Sequence, residues 1–386
     1  MRPRLSRLLS LAVLLAGLSL PVRGGESNAT LDPAQDYQAE RSDPITHEVD
    51  FSVVVTPPYH CKQLKVWLPI PQSDFAQEVI GDSCFSTFPD KVTAEINTEP
   101  VHGNRFAYFA FDHPVGAQII RHRFKVKVWN LHWNLDPAKV TRVSSWPKSF
   151  APYLQPQAIK DQEQFQHVLH SVVPTPANPG QDLFHVFDWI ENNLTYDHVN
   201  ASLKADANHA FSHKGGHCSD YHGLCATMGR ALGYPTRVTY GLTLYPKNSP
   251  SHCRVEAYLP PYGWVSFDLS ETQKLIARIH EDKTLDQSTR EKLARAARAR
   301  LLGGFRENSW LLMTRGTNYQ LAPKAVAPVP VVRTAYIEAD GEVLADPDPA
   351  NKNQRKFAWM TVHQYRADRP FVLPFKDYQT LLVPSK

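Results

Sequence analysis

The 386-residue sequence contains no Cys-x-x-Cys pair and no His-Glu-x-x-His motif, so the two most familiar zinc signatures are missing. No acidic loop of the EF-hand type occurs, and calcium is therefore not indicated. Cysteine is scarce, with five residues in all, and a chain of this length buries a core without disulfide staples. Knottin-like scaffolds are excluded. After the N-terminus, no apolar run is long enough to span a bilayer. A charge excess is also lacking. Arg2, Arg4 and Arg7 precede an apolar run from Leu8 to Leu20, followed by Pro21 and a small-residue site near Gly24, which reads as a secretory signal peptide over residues 1–24. Its removal takes away four arginines and no acids, leaving 38 basic groups against 38 acidic ones. Nucleic-acid binding draws on a basic excess and becomes an unfavoured class. The expected location is outside the cytoplasm, periplasmic or secreted, with no membrane anchor after cleavage.

What is present divides by periodicity. Residues 25–43 are polar and read as a linker. Over 44–140 the pattern is mostly of period two: from Ile120 to Val128 apolar side chains take even positions and basic ones odd, and Leu64, Val66 and Leu68 alternate likewise. A β-sandwich-like domain is expected there. Over 145–275 the period becomes helical, through Phe165, Val168, Leu169 and Val172, then Leu183, Phe187, Ile190 and Leu194. Another helix is expected from Ser219 to Leu232. Beyond it, His252–Leu259 and Trp264–Asp268 read as a hairpin about Pro260-Pro261-Tyr262-Gly263. Residues 276–386 read as a helix opened by a capping box at Ser288–Glu291, followed by further strands. Arg290, Lys292, Arg295, Arg298 and Arg300 on that helix read as a solvated face, with an acidic-ligand site as the alternative.

The stretch most informative for chemistry is Gly215-Gly216-His217-Cys218-Ser219-Asp220-Tyr221-His222. Paired glycines allow a sharp turn into the helix, which leaves Cys218 at its N-terminus. There the unpaired N–H groups and the helix dipole favour a thiolate and could hold an oxyanion. The alternative is a small buried core cysteine. Placing the hairpin tip at Pro260-Pro261 pairs residues whose numbers sum to 520, so that His252 faces Asp268, Arg254 faces Ser266 and Glu256 faces Trp264. Directly opposed residues sit close enough for an imidazole–carboxylate hydrogen bond. The odd residues Cys253, Val255, Ala257, Val265 and Phe267 would then face the core. His213, His217, Cys218 and His222 are close enough in sequence for zinc, but Gly215-Gly216 interrupts any helix that would align them. Cys61 and Cys84 form either a disulfide or a free pair.

The context of Cys218 resembles the nucleophile motif of the transglutaminase-like superfamily. Asn193–Asp197 and Arg230–Arg237 resemble neighbouring segments of that core, and His252–Glu256 with Gly263–Asp268 its histidine and aspartate strands. Trp67–Pro71 resembles a β-domain found before bacterial members. The resemblance implies an α+β fold: a papain-like transglutaminase core, preceded by the β-sandwich-like domain and followed by a mixed C-terminal extension. It implies a cysteine enzyme acting on protein or peptide amides through Cys218 as nucleophile, His252 as base and leaving-group acid, and Asp268 as orienter, with no cofactor and no metal. Hydrolysis, as a peptidase or amidase, is the expectation; glutamine–amine crosslinking and an inactive envelope binding module are the alternatives. Arg254 stands where members commonly carry an aromatic residue. Tyr196 is a candidate for the second oxyanion donor.

Overall fold

The computed structural model describes residues 31–247, 250–344 and 358–382, apart from the side chains of 359–363; residues 1–24, expected to be a signal peptide, lie outside the described residues. The fold is α+β. In chain order the strands β1 (Glu40–Val55), β2 (Gln63–Ile70), β3 (Gln77–Phe88), β4 (Glu95–Thr98), β5 (Arg105–Asp112) and β6 (Gln118–His132) come first. They are followed by helices α1 (Gln162–Val172) and α2 (Pro179–Asn193), strand β7 (Thr195–Tyr196), helix α3 (Ala207–His213), strand β8 (Gly215–Gly216) and helix α4 (Cys218–Ala231). Next are β9 (Thr236–Thr243), β10 (Ser251–Tyr258), β11 (Trp264–Phe267), α5 (Leu269–Glu281) and α6 (Gln287–Leu302). The strands β12 (Phe305–Arg306), β13 (Trp310–Arg315), β14 (Tyr336–Ala339), β15 (Glu342–Val343) and β16 (Ala358–Ala367) complete the described elements.

Two antiparallel sheets make a sandwich, one in the order β12-β6-β1-β16 with β3 also on β6, the other β15-β14-β2-β5-β4. Alternation puts Ile120, Phe124, Val126 and Val128 of β6 inward against Val66 and Leu68 of β2 and Phe109 of β5. Burying such side chains is worth about 1.5–3 kcal/mol each, so period two is enough to join the two layers. His122 occupies an inward position of the same strand, and burial pulls its pKa down to about 3.

A separate sheet, β11-β10-β9-β13, carries α4 on its odd face, where Cys253, Val255 and Ala257 meet Tyr221, Leu224 and Cys225. The C-terminal third contributes to all three of these sheets: β12 and β16 to the first, β14 and β15 to the second, β13 to the third. The described residues form one compact unit.

Of the linker expected over 25–43, residues 25–30 lie outside the described residues, and the remainder is anchored rather than free. Tyr37 is buried and donates to Glu256 Oε1 at 2.7 Å, Trp264 Nε1 donates to Pro33 O at 2.9 Å, and Tyr258 Oη donates to Gln35 at 3.0 Å. The polar composition reads as a tether because its partners lie more than two hundred residues away. Burial raises the Tyr37 pKa to about 12. Tyr37→Phe, which leaves the Glu256 carboxylate one donor short, is expected to destabilise the protein by about 1.5–3 kcal/mol. A denaturant midpoint unchanged from wild type would contradict this.

The helix expected from Ser288 is instead capped by Asp286, whose side chain accepts from Thr289 N at 2.8 Å. Its basic cluster is divided: Arg298 pairs with Asp188 and Glu191 of α2 and Arg300 reaches Pro374 O at 2.9 Å, while Lys292 and Arg295 stay exposed. Cys61 and Cys84 are free thiols, the first buried in the sandwich and the second exposed on β3.

Candidate active site

Local geometry at the turn into α4 follows from side-chain size. Gly215 pairs with Thr195 in the short parallel β7–β8 ladder. Gly216 has φ +142°, and a Cβ there would lie 2.4 Å from Asp220 Oδ2, so glycine is required by both conformation and space. His217 is the N-cap: its Nδ1 accepts from Ser219 N at 3.2 Å, while Asp220 Oδ2 accepts from His217 N at 3.1 Å. Asp220 also accepts from Ser202 N at 3.1 Å, which ties the preceding loop to the same carboxylate. Cys218 is thereby the first residue of the helix, at the positive end of its dipole.

His252 lies on β10 opposite Gly241 of β9. Gly241 has no room for a side chain, since a Cβ would come within 2.1 Å of Leu311 O and 2.5 Å of Trp310; its absence lets Trp310 pack close and donate to His252 O at 3.2 Å. The hairpin register differs from the expected one. Val255 pairs with Phe267, Glu256 with Ser266, Ala257 with Val265 and Tyr258 with Trp264, a sum of 522 rather than 520. The turn is closed by Leu259 N donating to Gly263 O at 2.8 Å and Tyr262 N to Leu259 O at 2.7 Å, so its centre is Pro261. A shift of two preserves parity and therefore the face of every residue. His252 and Asp268 are diagonal rather than opposed, and still meet: His252 Nε2 is 2.6 Å from Asp268 Oδ2.

Asp268 ends the hairpin and caps α5. Its Oδ1 accepts from Glu271 N at 3.0 Å and from Ser270 Oγ at 3.2 Å. Arg254 Nη2 stands 3.4 Å from Oδ2 and is also paired with Glu307, while Arg254 Nη1 donates to Phe305 O at 3.0 Å. The guanidinium lies 5.0 Å from the Trp310 ring, so a cation occupies the position expected to be aromatic and borrows aromatic neighbours instead.

The electrostatics agree with the geometry. Cys218 is held well below the ordinary thiol pKa, first by the hydrogen bond from the Cys253 thiol and, against burial, by the charge of His252 and a hydrogen bond to it. With Nε2 engaged by Asp268, Nδ1 is the His252 nitrogen left for Cys218. Burial alone would lower His252, but the Asp268 and Cys218 charges raise it to about 9. Burial would raise Asp268, yet His252 and Arg254 hold it far below the usual carboxylate range.

Three neighbours escaped the sequence reading. Cys253 was expected among core residues; it is buried, and its thiol reaches Cys218. His222, one helical turn beyond Cys218, accepts from Leu269 N at Nε2 (3.1 Å) and sets Nδ1 3.4 Å from Cys253 Sγ. This fixes its tautomer, with the proton on Nδ1. Glu307 is separated from Arg254 by more than fifty positions and leaves no local signal. Tyr196 sits on β7 beneath Lys274, whose Nζ is 3.9 Å from the ring centroid, and burial raises its pKa. Of the residues weighed for zinc, His217 is a helix cap, His222 faces α5 and His213 Nδ1 contacts His209 O at 3.0 Å. Among the described residues no group of three or more potential ligands converges.

Residues 166–269 match the sequence profile of the Transglutaminase-like superfamily. They form a transglutaminase-like domain. Cys218, His252 and Asp268 all lie within it. An uncharacterized protein of Haemophilus influenzae is 27% identical over 157 residues, a match covering 35% of this chain and 41% of that protein, so the chain spans less than half of that relative's length. A candidate cysteine protease of known structure from Cytophaga hutchinsonii superposes with a TM-score of 0.58 at 15% identity, covering 87% of this chain and 95% of its own. That likeness extends through the sheets flanking the transglutaminase-like domain, and shows the papain-like α+β fold. No helix among the described residues is long and apolar enough to cross a membrane.

Proposed function

We propose that the protein is an exported cysteine enzyme that opens amide or peptide bonds through an acyl–Cys218 thioester and releases the acyl group to water. The observation that carries this reading is the placement of His252 between the Asp268 carboxylate, 2.6 Å away, and a thiol at a helix N-terminus whose pKa is depressed. The Cys218 thiolate attacks the carbonyl carbon, and the oxyanion is held by N–H groups at the start of α4. His252 gives its proton to the departing amine, leaving a thioester. Water then attacks that carbonyl while His252 takes its proton, and the C–S bond breaks to regenerate the thiolate. Asp268 keeps the imidazole in the required tautomer throughout. The candidate protease from Cytophaga hutchinsonii lends this reading the fold alone, and export rests on the basic and apolar N-terminal sequence.

The test is the pH dependence of Cys218 alkylation, followed by peptide mass spectrometry. Because the folded pKa is depressed, the thiolate persists below the pH range in which an ordinary thiol protonates, and reactivity falls only as acid carries the pH down through that lowered value. The imidazolium partner persists up to about pH 9. His252→Ala is expected to return the thiol toward the unperturbed value of about 8.5. A wild-type thiol that titrates near that value and ignores His252 would instead mark an inactive binding module.

A further inference from the structure

Beside His252 lies a cavity of about 10 Å³, lined by Tyr245, Glu271 and Glu307 together with Leu373, Phe375 and Lys376. A single water needs about 10–15 Å³, so this space is at the limit for one water and too small for an amine carrying even a short carbon chain. The wall formed by residues 373–376 lies outside the transglutaminase-like domain and is anchored at its backbone. Arg300 donates to Pro374 O at 2.9 Å, and Arg278 donates to Phe375 O and, at 3.4 Å, to Lys376 O. The Phe375 ring is fixed against Phe305 at 5.8 Å and beneath the Arg300 and Arg254 guanidinium groups at 4.7 and 5.5 Å.

Charge acts in the same direction as size. Both acids facing the cavity already have cations: Glu271 has Lys274 at 2.6 Å and Lys247 at 3.8 Å, and Glu307 has Arg254. Neither is left to receive an incoming ammonium, and Lys376, held 4.4 Å from the Tyr245 ring centroid, adds a further positive charge.

We propose that Leu373, Phe375 and Lys376 are specificity-determining residues on the acceptor side of the site, admitting water next to His252 and excluding amines. The inference rests on the hydrolytic acyl-enzyme reading above and deepens it by naming the residues that keep amines from the acceptor position. In the step concerned, an acceptor O–H or N–H adds to the thioester carbonyl, His252 takes the proton and the Cys218 thiolate leaves. Water gives a carboxylic acid and an amine gives a new amide. Access to His252 is the step in this partition that the wall controls.

The experiment loads Cys218 with an acyl group from a p-nitrophenyl ester and measures partition between hydrolysis and transfer to monodansylcadaverine, in wild type, Phe375→Ala and Arg278→Gln. Wild type should hydrolyse, and both variants should raise the transfer-to-hydrolysis ratio about tenfold, the scale expected when a pocket gains room for a few extra atoms. Arg278→Gln frees the wall from outside the cavity and stands alone if Phe375→Ala does not fold. Equal partition in wild type and a folded variant would overturn the proposal while leaving the acyl-enzyme intact. If no acyl mass appears on Cys218 of wild type, the functional reading itself falls, and this inference falls with it.

Discussion

Cys218→Ala is expected to lower kcat/KM for amide cleavage by about 10⁴-fold or more, with the fold unchanged by circular dichroism. The side chain is small and buried, so alanine removes one sulfur atom from a wall that already packs well. Cys253 is a poor replacement, because the burial that raises its thiol pKa well above the ordinary value persists in the variant. Groups that act as one unit lose their effects non-additively, so Cys218→Ala combined with His252→Ala should be little worse than either alone. Multiplicative losses would mean that the two residues act separately.

The second large effect concerns stability. Arg254→Ala is expected to cost about 3–5 kcal/mol, because it strips a cation from a buried cluster, leaving Glu307 without its partner and Asp268 with His252 alone as its close counter-charge. Arg254 is fully buried between Asp268 and Glu307. Restoring an aromatic residue at this position does not solve the problem, since Arg254→Trp leaves Glu307 stranded. Adding Glu307→Gln should recover much of the loss, and a double-mutant cycle in urea reads the coupling. If both single variants unfold at the wild-type midpoint, the cluster contributes nothing measurable. Activity should respond as well, because Arg254 helps keep Asp268 ionised against its burial.

The legibility of this site depended on sequence distance. The nucleophile turn is written in consecutive residues, since two glycines, a capping histidine and Asp220 act within one helical turn. Strand parity could also be read, and it assigned His252 and Asp268 to one face even though the register was displaced by two. The displacement arose because the centre of the turn depends on hydrogen bonds across Leu259–Gly263, which composition alone does not reveal. Helix α5 is not read from the sequence, because Asp268 also ends the strand of the hairpin. The Asp268-x-x-Glu271 capping pattern ahead of Leu275 and Ile279 was the available signal. The anchored stretch 31–39, the Arg254–Glu307 pair and the acceptor-side wall each join residues far apart in the chain, where no local pattern exists to be read.

The interleaving of the C-terminal strands with all three sheets bears on when this protein can become reactive. A chain that leaves the ribosome from its N-terminus makes β1 early, yet Val55 pairs with Ala358, and Leu311 of β13 must reach Leu242 before the His252 sheet has its outer strand. Pairings of such separation form late in folding, because loop closure precedes any gain from contact. The candidate nucleophile and its base are therefore synthesised well before the framework that holds them together. Until those strands close, Cys218 would remain an ordinary thiol, its pKa lowered only once Cys253 and His252 are held beside it.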